Sequence, residues 1–480
     1  MTDPIASPPA FFEDHFRLSA KDLLGILETA LSSGGEFAET YLEYRTYSYI
    51  LMEEDIIRET AESVSLGLGI RVISGEKTGF GYTNDLSPDK VRRAALSAAA
   101  IASKDEPAAR PSALAPRGLG PSYYRVNEAS HSAPLDKKIS LVKAAYLACQ
   151  GAGPEVKKVK ASLQDQIQHL TIANSEGLLV SDSRPLVKLA CVAISEKAGL
   201  RESGYAGGGG RVALEFFSAQ LTPEEIGREA AREAAILLEA RDAPAGEMPV
   251  VLSPGHAGVL IHEAVGHLLE ADFNRKKTSV FADKFGKKVG VPQITIYDDP
   301  TIPAFRGSYN VDDEGTAPRK TLLIDKGVIV GLLQDRLSAG LMKMPLTGHG
   351  RRQDFSDIPI PRMANTYIDK GEYDREEIIR SVKKGFYADR FQGGQVEDSG
   401  KFTFSVSSGF LIEDGKLTTP VKQATLIGSN LDILNKVERV GGDLTFGPQT
   451  GTCGKEGQEV PVTDGCPTIK ISKMTVGGKG

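Results

Sequence analysis

Cysteine is scarce in this chain: Cys149, Cys191, Cys453 and Cys466 are the only four in 480 residues, and no two form a Cys-x-x-Cys pair. That excludes a disulfide framework and reads as free thiols in a reducing compartment. Long apolar runs are missing as well; none approaches the roughly 20 residues a membrane span requires. Basic residues are in deficit, 57 Lys and Arg against 63 Asp and Glu, a net charge of −6. A nucleic-acid binder would show the opposite balance. The opening residues, Met1-Thr2-Asp3-Pro4 through Phe11-Phe12-Glu13-Asp14, lack the basic and apolar regions of a signal peptide, so the expected location is the cytoplasm. Hydrophobic residues at 40% and charged residues at 25% describe a soluble globular protein, and the length requires more than one core.

Histidine is also sparse, at seven residues, yet two of them share one short run, His262-Glu263-Ala264-Val265-Gly266-His267. Neutral imidazole nitrogens are ligands for Zn²⁺, and a carboxylate beside the first can take a proton from a metal-bound water. In the familiar H-E-x-x-H pattern the i,i+4 histidines share one helix face. One residue more places them about 140° apart on an ideal α-helix. A π-bulge, with i→i+5 bonding, brings them back into line, and Gly266 is a suitable place for it. The run therefore predicts a π-bulged helix with the chemistry of a metal-dependent hydrolase. The plainer alternative is a buried amphipathic helix with two ordinary histidines. Two further residues are candidates: Glu270, as a third ligand or as the group that orients a histidine, and Cys453, a thiol in a Gly-rich loop.

Along the chain, Ser19-Ala20-Lys21-Asp22 opens a helix with Leu23, Leu24, Leu27 and Leu31 at helical spacing. Strands follow at Thr40–Tyr44, Val64–Val72 and Gly79–Tyr82, then a helix from Ser87-Pro88. After a Pro-rich connection the same order recurs: a helix at 135–150, a β region containing Leu186–Val192, and a helix from Thr222-Pro223 to about Ala240. The expected fold class is α+β. A duplicated helix–β-meander–helix domain over 1–242 precedes a β-rich, barrel-like domain over 243–480 that carries the metal-binding helix. Helices are expected at Arg375–Lys384 and Ser429–Lys436.

Gly207, Gly208, Gly209 and Gly210 read either as a flexible hairpin tip or as a place where backbone closely approaches a ligand such as an extended peptide. His256 is a candidate substrate contact or a structural residue at the helix start. His349, in a loop, is a candidate oxyanion stabiliser. Asp312, Asp313 and Glu314 suggest either a tight acidic turn or a hard-cation site. His15, His131 and His169 carry no expected role.

Three separated stretches resemble the TldD/PmbA family of metallopeptidases, specifically its TldD branch. They are His262 to Asn274, Asp312-Asp313-Glu314-Gly315-Thr316, and Cys453-Gly454-Lys455-Glu456-Gly457-Gln458, and the resemblance extends over essentially the whole chain. It implies a zinc peptidase in which His262, His267 and Cys453 hold the metal and Glu263 is the general base. It also implies an enclosed site that takes unfolded or extended peptides, and a heterodimer with a PmbA/TldE-like subunit, a homodimer being the other arrangement. Associated substrates are ribosomally made peptide precursors and unstable antitoxins, and gyrase modulation is an older label. The intact motif marks this chain as the catalytic member. The alternatives are a non-catalytic peptide-binding or regulatory subunit with a structural metal site, and a metal-dependent hydrolase of another bond.

Overall fold

The computed structural model describes residues 10–101, 108–126, 132–397 and 400–478. Residues 1–9 and His131 lie outside them. The fold is α+β, and no helix among the described residues is long and apolar enough to cross a membrane.

The order helix, three strands, helix occurs twice. Helix α1 (Ala20–Ala30) starts at a capping box between Ser19 and Asp22 and buries Leu23, Ile26, Leu27 and Ala30. Strands β1 (Phe37–Glu53), β2 (Ile56–Ser74) and β3 (Lys77–Thr83) lead to α2 (Pro88–Ala99). The second pass is α3 (Leu135–Gln150), β4 (Val156–Asn174), β5 (Leu178–Lys197), β6 (Leu200–Gly210) and α4 (Pro223–Glu239). The cap of α4 is again a box, Thr222 with Glu225. The six strands pair antiparallel in the order β3-β2-β1-β4-β5-β6, and Ala115–Pro116 adds a short parallel seventh strand on β5. The two units thus meet where β1 pairs with β4. Helices α1 and α2 cover one end of this sheet, α3 and α4 the other, each over its own apolar cluster.

One expectation fails here. The glycine run is no hairpin tip; Gly204 and Gly207–Gly210 lie inside β6. A Cβ on Gly204 would sit 2.1 Å from the Ala230 carbonyl of α4, and one on Gly210 would sit 2.5 Å from the Ala304 carbonyl. Glycine is required because backbone packs against backbone on both sides of the strand.

The remaining chain builds a barrel. Strands β7 (Gly246–Leu252), β8 (Lys384–Val396), β9 (Lys401–Glu413) and β10 (Lys416–Ser429) are followed by a hairpin of β11 (Thr452–Lys455) and β12 (Gln458–Pro461), and by β13 (Ile469–Gly477). Pairings β7–β8, β8–β9, β9–β10, β10–β13 and β13–β7 close a ring of five strands. The helix expected to reach Lys384 stops at Arg380, because Lys384 already begins β8. A second sheet pairs Ile296–Asp298, Asn365–Ile368 and Thr463–Cys466. The histidine helix enters directly after β7, with Leu260, Ile261, Ala264, Val265 and Leu268 in the same core as Phe386 of the barrel and Ile296 of the second sheet.

Candidate metal centre

The helix after β7 changes pitch at the motif. Gly258–Ile261 is α-helical, His262–Gly266 is π-helical and His267–Leu269 is a 3₁₀ turn. The His267 backbone N–H donates to the His262 carbonyl, the i→i+5 bond expected from the spacing. Gly266 is needed there for a spatial reason, since a Cβ would collide with the Met363 sulfur. The result sets the His262 and His267 rings 5.1 Å apart between centroids and nearly perpendicular, at 87°.

Cys453 arrives from nearly 190 residues away. It lies in strand β11 rather than in the expected loop, three residues before a tight turn at Glu456 and Gly457, both with positive φ. Its Sγ is 3.1 Å from His262 Nε2 and 3.3 Å from His267 Nε2. All three donor atoms lie within 4.8 Å of one another. Ligand bonds of 2.0–2.1 Å to nitrogen and 2.3 Å to sulfur around a tetrahedral ion separate neighbouring donors by about 3.5 Å. The three side chains fit a single metal ion.

Groups behind the donors fix their direction. His262 Nδ1 donates to Asp464 Oδ1 at 2.7 Å, and His267 Nδ1 donates to Glu270 Oε2 at 2.9 Å. Each ring is thereby held as the tautomer that presents Nε2 to the sulfur. Lys455 Nζ lies 3.0 Å from the same Glu270 oxygen and 2.7 Å from Asp272 Oδ1, and Arg362 Nη2 donates to the Cys453 carbonyl at 2.6 Å. Glu270 therefore braces His267. Asp464, Lys455 and Arg362 had no role in the reading of the sequence; their contacts span up to 202 residues, and no local spacing signals them.

The electrostatics point the same way. Burial opposes charge on both imidazoles, yet Asp464 and the Cys453 sulfur hold His262 well above its usual value, and Glu270 and Cys453 hold His267 at about 10. Burial alone would raise the Cys453 thiol, but the two imidazoles bring it well below its usual range. A thiolate and two carboxylates thus make a field that attracts positive charge, which a divalent cation supplies. Burial raises the Glu263 carboxyl, with both imidazoles opposing the rise. Its Oε2 is 4.0 Å from His267 Nε2, and it lines a cavity of about 280 Å³ together with Gly454 and Lys455. A second cavity, of about 300 Å³, is lined by Asp464, the partner of His262, with His256, Tyr205 and Gly451.

Comparison with known proteins decides the family. Models of the PmbA/TldA metallopeptidase match residues 38–102 (domain 1), 128–238 (central domain) and 245–478 (C-terminal domain). The chain belongs to the PmbA/TldD family of metallopeptidases. It is 40% identical over 467 residues to the metalloprotease TldD homolog of Haemophilus influenzae, and 39% identical over 469 residues to that of Buchnera aphidicola; each match covers 96% of this chain and 97% of the relative. The zinc metalloprotease TldD homolog of Saccharolobus solfataricus is 33% identical over 235 residues, 49% of this chain and 52% of that one. Solved structures share the fold: one from Thermotoga maritima with a TM-score of 0.77 at 22% identity, over 95% of this chain and 99% of that one, and TldE from Thermococcus kodakarensis with 0.75 at 21%, over 96% and 100%.

Among this PmbA/TldD member's other candidates, His349 is not at the donors. It is fully buried, with Nε2 bonded to Asp298 at 3.0 Å and Nδ1 to the Thr347 hydroxyl at 3.0 Å. Neither ring nitrogen is left for an oxyanion, so that expectation is withdrawn. His256 does face the cavity beside Asp464. Gly207 reaches its margin, where an added Cβ would lie 3.2 Å from Thr450 Cγ2, while Gly208 packs on Leu221 and Gly209 on the Val187 carbonyl.

Proposed function

We propose that the chain is a zinc-dependent peptidase acting on unfolded or extended peptides, with Glu263 as its general base. The convergence of two imidazole nitrogens and one sulfur carries this reading. A His/His/thiolate set favours zinc over harder divalent ions, and one relative is named a zinc metalloprotease. When bound, the ion supplies a Lewis acid that polarises the scissile carbonyl and acidifies water. His262, His267 and Cys453 would hold it. Glu263, lifted by burial toward the range of a working acid–base group, takes the proton of the attacking water and passes it to the leaving amine. Asp464 and Glu270 keep both rings oriented throughout.

One cavity of about 280 Å³ is lined by Glu263 and His267 and another of about 300 Å³ by Asp464, and each suits one or two residues of an extended chain rather than a folded domain. A TldE-like subunit is the proposed partner, on the strength of the shared fold. A reducing compartment such as the cytoplasm suits four buried thiols. Glu263→Gln tests the mechanism. It should keep its metal while cleavage of an unstructured peptide falls about 10³-fold. Cleavage within about tenfold of the parent protein, metal retained, would remove Glu263 as the base.

A further inference from the structure

Lys188 and Arg306 pair with no carboxylate among the described residues. Lys188 of β5 pairs in register with Gly209 of β6. Arg306 belongs to the segment that crosses the next residue, for a Cβ on Gly210 would lie 2.5 Å from the Ala304 carbonyl and 3.9 Å from the Arg306 nitrogen. The Arg306 guanidinium donates from Nε to the Gly451 carbonyl at 2.7 Å and from Nη2 to Thr452 Oγ1 at 3.5 Å, which brings it within one residue of Cys453. Neither of those partners is charged. Lys188 has no hydrogen-bond or ion-pair partner among the described residues.

The glycines of β6 give these cations a floor. Register pairs Lys188 with Gly209, Ala190 with Gly207 and Val192 with Tyr205, so all six residues share one face of the sheet. Between Lys188 and Tyr205 that face carries nothing larger than the Ala190 methyl. It runs into the cavity bounded by Tyr205, Thr450, Gly451 and Asp464, the last of which holds His262. Burial lowers both cations, Arg306 to about 10, and Arg306 lowers Lys188 further. The buried guanidiniums of Arg71, Arg184 and Arg352 each meet a carboxylate, whereas those of Arg211, Arg351 and Arg362, like Arg306, donate to backbone carbonyls. Lys188 has no acceptor of any kind among the described residues, and a largely buried ammonium left so costs folding energy unless a ligand supplies the anion.

We propose that Lys188 and Arg306 form a subsite for a carboxylate of the peptide substrate, at the end of the glycine floor leading to His262, His267 and Cys453. The charge of Arg306 is felt at Lys188, and a guanidinium and an ammonium within reach of one another match a carboxylate's two oxygens. The carboxylate is either the peptide's C-terminus or an Asp or Glu side chain. This subsite rests on the peptidase reading above.

The test uses one unstructured peptide in four forms: free acid or C-terminal amide, and internal Asp or Asn. In the metal-loaded protein, kcat/KM should favour the carboxylate in one of the two comparisons by about tenfold or more, through KM. Lys188→Met should bring that ratio close to one, and Lys188→Arg should restore much of it. Fluorescence anisotropy of the same peptides on the Glu263→Gln protein reads the preference without turnover. A carboxylate preference in binding, lost in Lys188→Met, with no peptide cleaved by the parent protein, would sink the peptidase reading and keep the subsite. Cleavage with no preference in either comparison, or a preference undiminished in Lys188→Met, would overturn the subsite.

Discussion

Around Glu314, buried charge is answered by buried charge. Arg71 bridges Glu39 at 2.9 Å and Glu314 at 2.6 Å, Arg352 reaches the other Glu39 oxygen at 2.6 Å, and Arg184 meets Asp313 at 2.6 Å. Asp312 accepts backbone N–H groups of Glu314, Thr316 and Gly350. The acidic run expected to be either a turn or a cation site is thus the anchor of the 312–314 segment on strands β1, β2 and β5. At His262, His267 and Cys453 the pattern is different. The carboxylates behind the rings are bonded, but among the described residues the three donor atoms have only one another within hydrogen-bond distance, with Glu263 4.0 Å from His267 Nε2. A cluster that balances itself holds the structure together; a cluster left with converging donors is built for something the chain does not supply.

Breaking the first cluster should cost the most. Arg71→Met leaves Glu39 without one of its two cations and Glu314 without its ion-pair partner, and should lower stability to urea by about 3–5 kcal/mol, with metal stoichiometry unchanged in the folded fraction. A loss below about 1 kcal/mol would mean that the network is not the anchor described. The converse change acts on the second cluster. Asp464→Asn keeps the shape but weakens the grip on His262, and metal affinity in a competitive chelator titration should fall about 10- to 100-fold. Little change in the stability of the metal-free protein should accompany it.

A smaller effect distinguishes the buried carboxylates by pH. Burial pushes Glu43 up to about 7, with Arg45 opposing, against an ordinary value of 4.5. Between those values the folded chain holds a proton that the unfolded chain has released, so this contribution is complete below 4.5 and is lost as pH rises through 7. Glu43→Gln should therefore gain on the parent protein between pH 5 and pH 8, by about 1–2 kcal/mol in urea unfolding. A constant difference across that range would contradict the raised value.

The legible part of the molecule was the part written in local spacing. His262 and His267, five apart around a glycine, implied the π turn, and the capping boxes at Ser19 and Thr222 opened their helices where expected. Strand lengths were less legible. The signal for β1 covered only Thr40–Tyr44, because residues 37–43 are buried on both faces and 44–49 half-buried on both, leaving only 50–53 to alternate. The glycine run misled because glycine usually marks a loop, whereas here it admits neighbouring backbone into a strand. His349 misled because nothing near it in sequence announces Asp298. The ion network joins residues up to 313 apart, which periodicity cannot reach.

Metal-edge X-ray absorption on the purified protein tests the central claim most directly. The account predicts one bound zinc per chain with a single sulfur at about 2.3 Å and two imidazole nitrogens at about 2.0–2.1 Å, and the loss of both sulfur and metal in Cys453→Ala. A first shell of nitrogen and oxygen alone, or a full equivalent of zinc surviving in Cys453→Ala, would contradict it.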